Sequence, residues 1–100
     1  MRRLVFRRRA RENLVDILDY ITRESGSERR GRAFTDRIKA QCQRLAELPG
    51  ALGRPRPDLR PGIRSYPFQG YLILFRYTDD AVEIINIIEG HRDIPGAMEP

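Results

Sequence analysis

Two stretches of the chain carry apolar residues at helical spacing. In residues 10–23 the apolar side chains recur every three or four positions, so they share one face of an amphipathic helix. Residues 28–48 repeat this pattern, and Pro49 ends it. Gly26 suits the C-terminus of the first helix and Ser27 suits the N-cap of the second. The short turn between them predicts an antiparallel helical hairpin.

Three runs in the second half of the chain are rich in β-branched and aromatic residues. They cover 63–68, Tyr71–Tyr77 and Ala81–Glu89, and the turns between them are so short that antiparallel pairing is expected. Residues 4–6 form a short opening strand. The segment 49–62 is rich in proline and glycine and is expected to lack regular structure. The pattern predicts an α+β fold: a strand, a helical hairpin and a three-stranded antiparallel sheet.

Both faces of this predicted sheet carry large apolar side chains. Along a strand the side chains alternate between faces, so Val82, Ile84 and Ile88 should share one face, opposite Ile85 and Ile87. One helical hairpin covers only one face, and we therefore expect another protein chain to cover the second. The alternative is that the proline-rich loop and the N-terminal arm lie over it. The strand region 60–93 is thus the predicted working surface.

Length and composition indicate an ordinary globular protein. One hundred residues fit a single domain over residues 1–100, and 40% hydrophobic with 33% charged residues is typical of a folded chain. Cys42 is the only cysteine, which excludes an internal disulfide. No apolar stretch is long enough for a signal peptide or a membrane-spanning helix. These features predict a soluble, cytoplasmic protein.

The chain is basic, and nearly all of its positive charge comes from arginine. The formal net charge is +5, and six arginines fall within the first eleven residues, where no acidic residue offsets them. An anionic partner, either nucleic acid or an acidic protein segment, explains this distribution. A GC-rich genome, which favours arginine codons, explains it as well. Charge alone therefore does not select a function.

No motif for a cofactor or a metal ion is present in the sequence. It lacks a glycine-rich phosphate loop, and the patterns CxxC, HExxH and GxSxG do not occur. Cys42 and His91 are the only residues of their kinds and are far apart along the chain. We expect neither a cofactor nor a metal site.

Several short elements, taken in their order and spacing, closely resemble one toxin family. The upstream part of the pattern places Ala, Asn, Leu, Ile and Tyr at positions 10, 13, 14, 17 and 20. The later elements are GRPRPDL at 53–59, GIRSYP at 62–67, YLILFR at 71–76, VEI at 82–84 and GHRD at 90–93. Together they resemble the ParE toxins of the RelE/ParE superfamily, the toxin halves of bacterial type II toxin–antitoxin pairs.

This resemblance implies both a fold and a function. The family fold is a strand, a helical hairpin and a three-stranded antiparallel sheet, which is the order that the patterns predict. The resemblance implies a cognate ParD-like antitoxin, whose commonly acidic C-terminal segment wraps the toxin in a hetero-oligomer. It also implies that ParE-type members inhibit DNA gyrase by binding it, whereas RelE-type members cut mRNA in the ribosome.

The chain departs from the family pattern at three positions. Arg7 stands before the first helix where Ser or Thr is frequent, so this helix is expected to lack its usual N-cap. Asn13 replaces a common Asp, and His91 occupies a position where a small residue is frequent. His91 matters most, because histidine is the side chain whose ordinary pKa lies near neutrality.

A ribonuclease would need an acid, a base and cations around one phosphate group. His91 is the obvious acid or base, Arg64 and Arg76 could hold the phosphate oxygens, and Tyr77 could hydrogen-bond the phosphate or stack on a base. RelE-type sites would use further lysines, acids or aromatics near the C-terminus, but the only lysine here is Lys39, and the tail 94–100 has no aromatic or basic residue. We therefore favour a non-enzymatic gyrase-binding toxin. The alternatives are a ribosome-dependent mRNA endonuclease and a non-toxic relative that only binds its partner.

The predicted binding residues lie on the strand region and just before it. Those expected to contact the antitoxin or the target are Arg56, Arg64, Tyr66, Arg76, His91, Arg92 and Asp93. Ordinary surface ion pairs are the alternative role for the arginines; Arg76, for example, could pair with Glu83 or Glu89 across the last hairpin. Three other aromatic residues are expected to pack in the core: Tyr20, Phe34 and Tyr71.

Overall fold

The computed structural model describes residues 2–90 and confirms the α+β class. Two helices pack against one five-stranded sheet, whose strands lie in the order β1-β5-β4-β3-β2. The elements are β1 (Arg3–Phe6), α1 (Arg8–Ser25), α2 (Glu28–Glu47), β2 (Arg54–Pro55), β3 (Arg64–Phe68), β4 (Tyr71–Tyr77) and β5 (Ala81–Glu89). The predicted strand, helical hairpin and antiparallel strands are all present in the predicted order.

The helical hairpin turns where the sequence predicts it. Gly26 adopts the left-handed conformation with φ 69°, which a residue without a side chain reaches at no steric cost. Ser27 then caps α2, since its hydroxyl accepts a hydrogen bond from the N–H of Arg30 at 3.2 Å. α1 has no such cap, because the Arg7 side chain makes no capping hydrogen bond. The expectation of an uncapped first helix is confirmed.

The sheet has two strands more than the predicted three-stranded antiparallel unit. β1 pairs with β5 in parallel, with Leu4 opposite Val82, so the opening strand joins the same sheet. The two-residue strand β2 pairs antiparallel with β3, although the segment 49–62 was expected to lack regular structure. Proline is compatible with β2 because this is an edge strand, where one side of the backbone needs no partner.

A β-bulge in β5 changes which side chains share a face. Phe75 pairs with Ile84, but the preceding Leu74 pairs with Asn86, so Ile85 has no partner across the ladder. After the bulge, the alternation of side chains between the two faces of the sheet is shifted by one residue. The core under the helices therefore contains Ile87, together with Val82 and Ile84. The prediction that Ile88 shares their face was wrong.

Part of the second face of the sheet is buried. Leu74 and Ile88, which lie on this face, are only 0% and 3% exposed. The sequence argument for a partner chain assumed that this face is open, whereas Leu72 is the one large apolar residue of β4 on this face that is only partly buried.

The helices cover the sheet unevenly. Their backbones approach the β1–β5 half, with α1 over β5 and α2 over β1 and β5, and neither comes comparably close to β3. Ile38, Leu45, Ile73 and Phe75 are fully buried in the core between the helices and the sheet. The helix-facing side of β3 consequently borders a surface that no helix covers.

Candidate protein-binding surface

The residues predicted for ribonuclease chemistry are split between the two faces of the sheet. Arg64 lies opposite Phe75 in the β3–β4 ladder, so both side chains leave on the helix-facing side, as does that of Tyr77. Arg76 lies between Phe75 and Tyr77 and leaves on the other side. Arg64 and Arg76 therefore cannot converge on one phosphate while β4 keeps its observed alternation.

Arg64 and Tyr77 hold the proline-rich loop against the sheet. The Arg64 guanidinium donates to the carbonyl oxygen of Leu52 from Nε at 2.7 Å and to that of Gly53 from Nη2 at 3.1 Å. The Tyr77 hydroxyl accepts a hydrogen bond from the N–H of Leu52 at 2.9 Å. The guanidinium of Arg2 lies 4.2 Å from the centre of the Tyr77 ring. Arg64 and Tyr77, both predicted site residues, thus stabilise the fold of the chain itself.

Gly53 permits the loop to approach the sheet closely. Its φ is 76°, and a Cβ at this position would lie 2.6 Å from the carbonyl oxygen of Ser65 and 3.0 Å from the Phe75 ring. A larger residue is therefore excluded both by the backbone conformation and by the space. Gly53, which belongs to the GRPRPDL element of the family resemblance, is thus explained by the close approach of the loop.

Arg76 takes part in a charged cluster on the second face. Its Nε lies 2.5 Å from Glu83 Oε1, and Nη1 of Arg7 lies 3.3 Å from Glu83 Oε2. The hydrogen bond from Arg76 holds the pKa of the Glu83 carboxyl below its ordinary value, and Arg7 adds to this effect. The alternative of a cross-hairpin ion pair for Arg76 is confirmed.

Arg56 is bound within the loop itself. Its guanidinium makes two hydrogen bonds to the carboxylate of Asp58, at 3.1 and 2.9 Å. This contact holds the pKa of the Asp58 carboxyl below its ordinary value. A role of Arg56 in binding an antitoxin or a target stays a prediction, and it would require this local pair to open or to share its charge.

Tyr66 belongs to an aromatic surface on the uncovered side of β3. It is partly buried, as are Phe68 and Tyr71, and all three flank the core on the helix-facing side. Phe34 of α2 completes this surface, since its ring centre lies 5.6 Å from that of Tyr71. We call these four residues, Phe34, Tyr66, Phe68 and Tyr71, the open sheet face. It offers apolar contact area in the gap that the helices leave.

Tyr20 lies beside this surface rather than in the core. It is 49% exposed, so the expectation that it packs in the core was wrong. Burial raises the pKa of the Tyr71 hydroxyl, with smaller contributions from Glu89 and Tyr20. Phe34 and Tyr71 do pack against the core, as expected, but each remains partly exposed. The aromatic residues thus form an edge of the core that reaches solvent.

Three predicted site residues lie outside the residues that the structure describes. They are His91, Arg92 and Asp93. Their roles in binding, and that of His91 in chemistry, stay predictions.

Within residues 2–90 no group of three or more His, Cys, Asp or Glu side chains could hold a metal ion.

A cleft of about 440 Å³ lies beside the end of α2, lined by Leu48, Asp79 and Asp80 among others, and no predicted site residue borders it. No helix in the described part of the chain is long and apolar enough to cross a membrane.

Comparison with known proteins identifies the family. The model of the ParE toxin of type II toxin–antitoxin systems, parDE, matches residues 4–94. Toxin ParE3 of Caulobacter vibrioides is 33% identical over 66 residues, which span 66% of this chain and 65% of that protein. A chain from the chromosomal ParDE system of P. aeruginosa has the same fold, with a TM-score of 0.75 and 26% identity; the match covers 89% of this chain and 96% of that one. The chain therefore belongs to the ParE toxin family of type II toxin–antitoxin systems.

Proposed function

We propose that this protein inhibits DNA gyrase by binding it and is neutralised by a cognate ParD-like antitoxin in the cytoplasm. The observation that carries the proposal is the match of the ParE toxin family model over residues 4–94. Gyrase inhibition is the activity that the ParE-type resemblance implied. The antitoxin follows from the same family and from the likeness to a chain of a ParDE system.

The arrangement of the arginines supports binding over RNA cleavage. General acid–base cleavage needs its charged groups to converge within hydrogen-bond reach of one phosphate. Here Arg64 is bound to two loop carbonyl oxygens, and Arg76 is paired with Glu83 on the other side of the sheet. Tyr77 is bound to a backbone N–H. Each of these groups would have to leave a partner before it could contact RNA.

The open sheet face supports an antitoxin-binding role. Its aromatic side chains supply apolar contact area, and aromatic anchors contribute strongly to protein interfaces. The net charge of +5 complements the acidic C-terminal segment that ParD-like antitoxins commonly carry. The antitoxin segment would thus cover the part of the sheet that lies beyond the helices.

Two assays with the purified chain test this proposal. The first measures supercoiling of relaxed plasmid by DNA gyrase, and the second measures the integrity of a reporter mRNA in a translation extract. We expect loss of supercoiling, intact mRNA, and recovery of supercoiling when the cognate antitoxin is added at equal concentration. Cleaved mRNA with normal supercoiling would support the endonuclease alternative, and no effect in either assay would support a non-toxic relative.

A further inference from the structure

We propose that one flank of α2 recognises a helix of the antitoxin that carries acidic residues at seven-residue intervals. The inference rests on the proposed function, because it describes how the antitoxin is bound. The flank consists of Arg30, Arg37 and Arg44, which we call the arginine column. Sequence reasoning overlooked it, although the spacing by seven is visible in the sequence.

The arginine column is a straight feature of the helix surface. Residues seven apart are separated by nearly two turns, so their side chains lie above one another with a drift of about 20°. At 1.5 Å per residue, neighbouring arginines are about 10.5 Å apart along the axis. A rod-like partner parallel to α2 could contact all three at once.

The three guanidinium groups are available for a partner. All three residues are exposed, and within residues 2–90 none of them has an acidic partner at ion-pair distance. Arg37 makes a cation–π contact, with its guanidinium carbon 5.3 Å from the centre of the Phe34 ring. By contrast, Arg32 on the same helix is paired with Glu28 at 2.7 Å. Three of the unpaired basic groups of α2 thus share one flank.

The arginine column borders the open sheet face. Phe34 and Arg37 are three residues apart, which makes them neighbours on the helix surface, and Phe34 also contacts Tyr71 of β4. A helix lying alongside α2 would place its apolar side on the aromatic residues and an acidic side against the arginines. This combination describes an amphipathic helix with carboxylates in a heptad repeat, where such flanking charges set the choice of partner.

The charges around the column favour a protein helix over nucleic acid. Glu47 is three residues from Arg44, which makes them neighbours on the helix surface, and Asp36 lies on the outer surface of α2; both are exposed. A duplex carries one negative charge per about 1.7 Å of its axis, so these carboxylates would repel it. A helix with carboxylates about 10.5 Å apart can match the arginines and avoid the acids.

A pair of matched double variants tests the inference. Arg37→Glu with Arg44→Glu reverses the column, whereas Arg29→Glu with Lys39→Glu changes the net charge equally on the same helix. Arg29 and Lys39 are also exposed and unpaired within the described residues, but they lie one and two residues from column members and so face elsewhere. Calorimetric titration of each variant with the cognate antitoxin gives the affinities, and circular dichroism checks the folding.

We expect the column variant to bind the antitoxin at least about tenfold more weakly and the control variant to stay within about threefold of the wild type. Reversing the facing carboxylates of the antitoxin to arginine should restore binding to the column variant. Equal losses of antitoxin affinity in both variants, or no loss in either, would overturn the inference. Binding of the antitoxin by the wild type would still support the proposed function. Loss of duplex DNA binding with unchanged antitoxin affinity would overturn it in favour of nucleic acid. If the wild type bound no antitoxin, the proposed function itself would fail.

Discussion

Arg64 is bound to the backbone of Leu52, with 2.7 Å between its Nε and the carbonyl oxygen. The backbone N–H of Leu52 donates a hydrogen bond to the Tyr77 hydroxyl, so both the N–H and the carbonyl group of Leu52 are bound by side chains of the sheet. Arg64 and Tyr77, whose residue types suggested phosphate binding, therefore hold the proline-rich loop against the sheet. The loop in turn supplies β2 to the edge of the sheet next to β3.

Replacing Tyr77 by Phe should loosen this loop. The substitution leaves the N–H of Leu52 without its acceptor, which we expect to lower the free energy of unfolding by about 1 kcal/mol. Amide exchange at Leu52 should become faster. Tyr66→Phe is the matched control, because the Tyr66 hydroxyl has no hydrogen bond within the described residues. Equal effects of the two substitutions would contradict the assigned role.

The contribution of Glu83 to stability should depend on pH. Its pKa is lower in the folded protein than its ordinary value of 4.5, because Arg76 and Arg7 bind the carboxylate. The folded state thus gains stability above pH 4.5, and this gain is lost as the pH falls through the lower folded pKa. Urea unfolding of the wild type and Glu83→Gln should differ at pH 7, by about 1 kcal/mol or less, and the difference should shrink as the pH falls through the folded pKa.

A control for this effect is Glu12→Gln. Glu12 lies 3.8 Å from Arg8 at an exposed site, so its loss should change stability less than the loss of Glu83. A pH-independent difference between the wild type and Glu83→Gln would show that the carboxylate charge is not the cause.

Cys42 should be chemically inert in the folded protein. It is fully buried, and burial raises the pKa of its thiol to about 12, so almost no thiolate exists at neutral pH. Reaction with a thiol reagent at pH 8 should therefore proceed only as fast as the protein opens. Rapid, complete labelling under native conditions would contradict the buried placement.

Gly31 should be the least replaceable residue of the helical hairpin. A Cβ there would lie 2.3 Å from Thr22 Oγ1 and 2.9 Å from the carbonyl oxygen of Leu18. Gly31→Ala gains about 1 kcal/mol of helix propensity, but overpacking costs about 1–3 kcal/mol, and the contact with backbone favours the upper end. We expect a net loss in urea unfolding.

Thr22→Ala should rescue this variant in part. It removes the nearest atom, a buried hydroxyl that has no hydrogen-bond partner within the described residues. The single substitution should therefore cost little by itself. If Gly31→Ala were equally destabilising with and without Thr22, the clash would lie elsewhere.

Local patterns predicted the elements well. Apolar spacing identified both helices, and Gly26 and Ser27 identified the turn between them, because these signals depend on neighbours in the chain. The bulge at Ile85 could not be predicted in this way, since it depends on the pairing of β4 with β5. It reversed the assignment of Ile87 and Ile88 to the two faces.

The binding surface was less predictable than the fold. Arginine at position 64 is compatible with both phosphate binding and a loop contact, and only the fold brings it to Leu52. Tyr20 lies among apolar residues of α1, yet it is 49% exposed. The spacing of the arginine column by seven, in contrast, is visible in the sequence. Its value as a binding surface depends on which arginines are unpaired, and only the structure shows this.

The most direct test of a non-catalytic toxin is to replace His91 by Ala. Supercoiling by purified gyrase and cleavage of a reporter mRNA are measured for the wild type and the variant, with circular dichroism as the check on folding. The account predicts that both proteins inhibit supercoiling and that both leave the mRNA intact, because no proton transfer is needed for binding. Cleavage of mRNA by the wild type, lost in a folded His91→Ala variant, would contradict it.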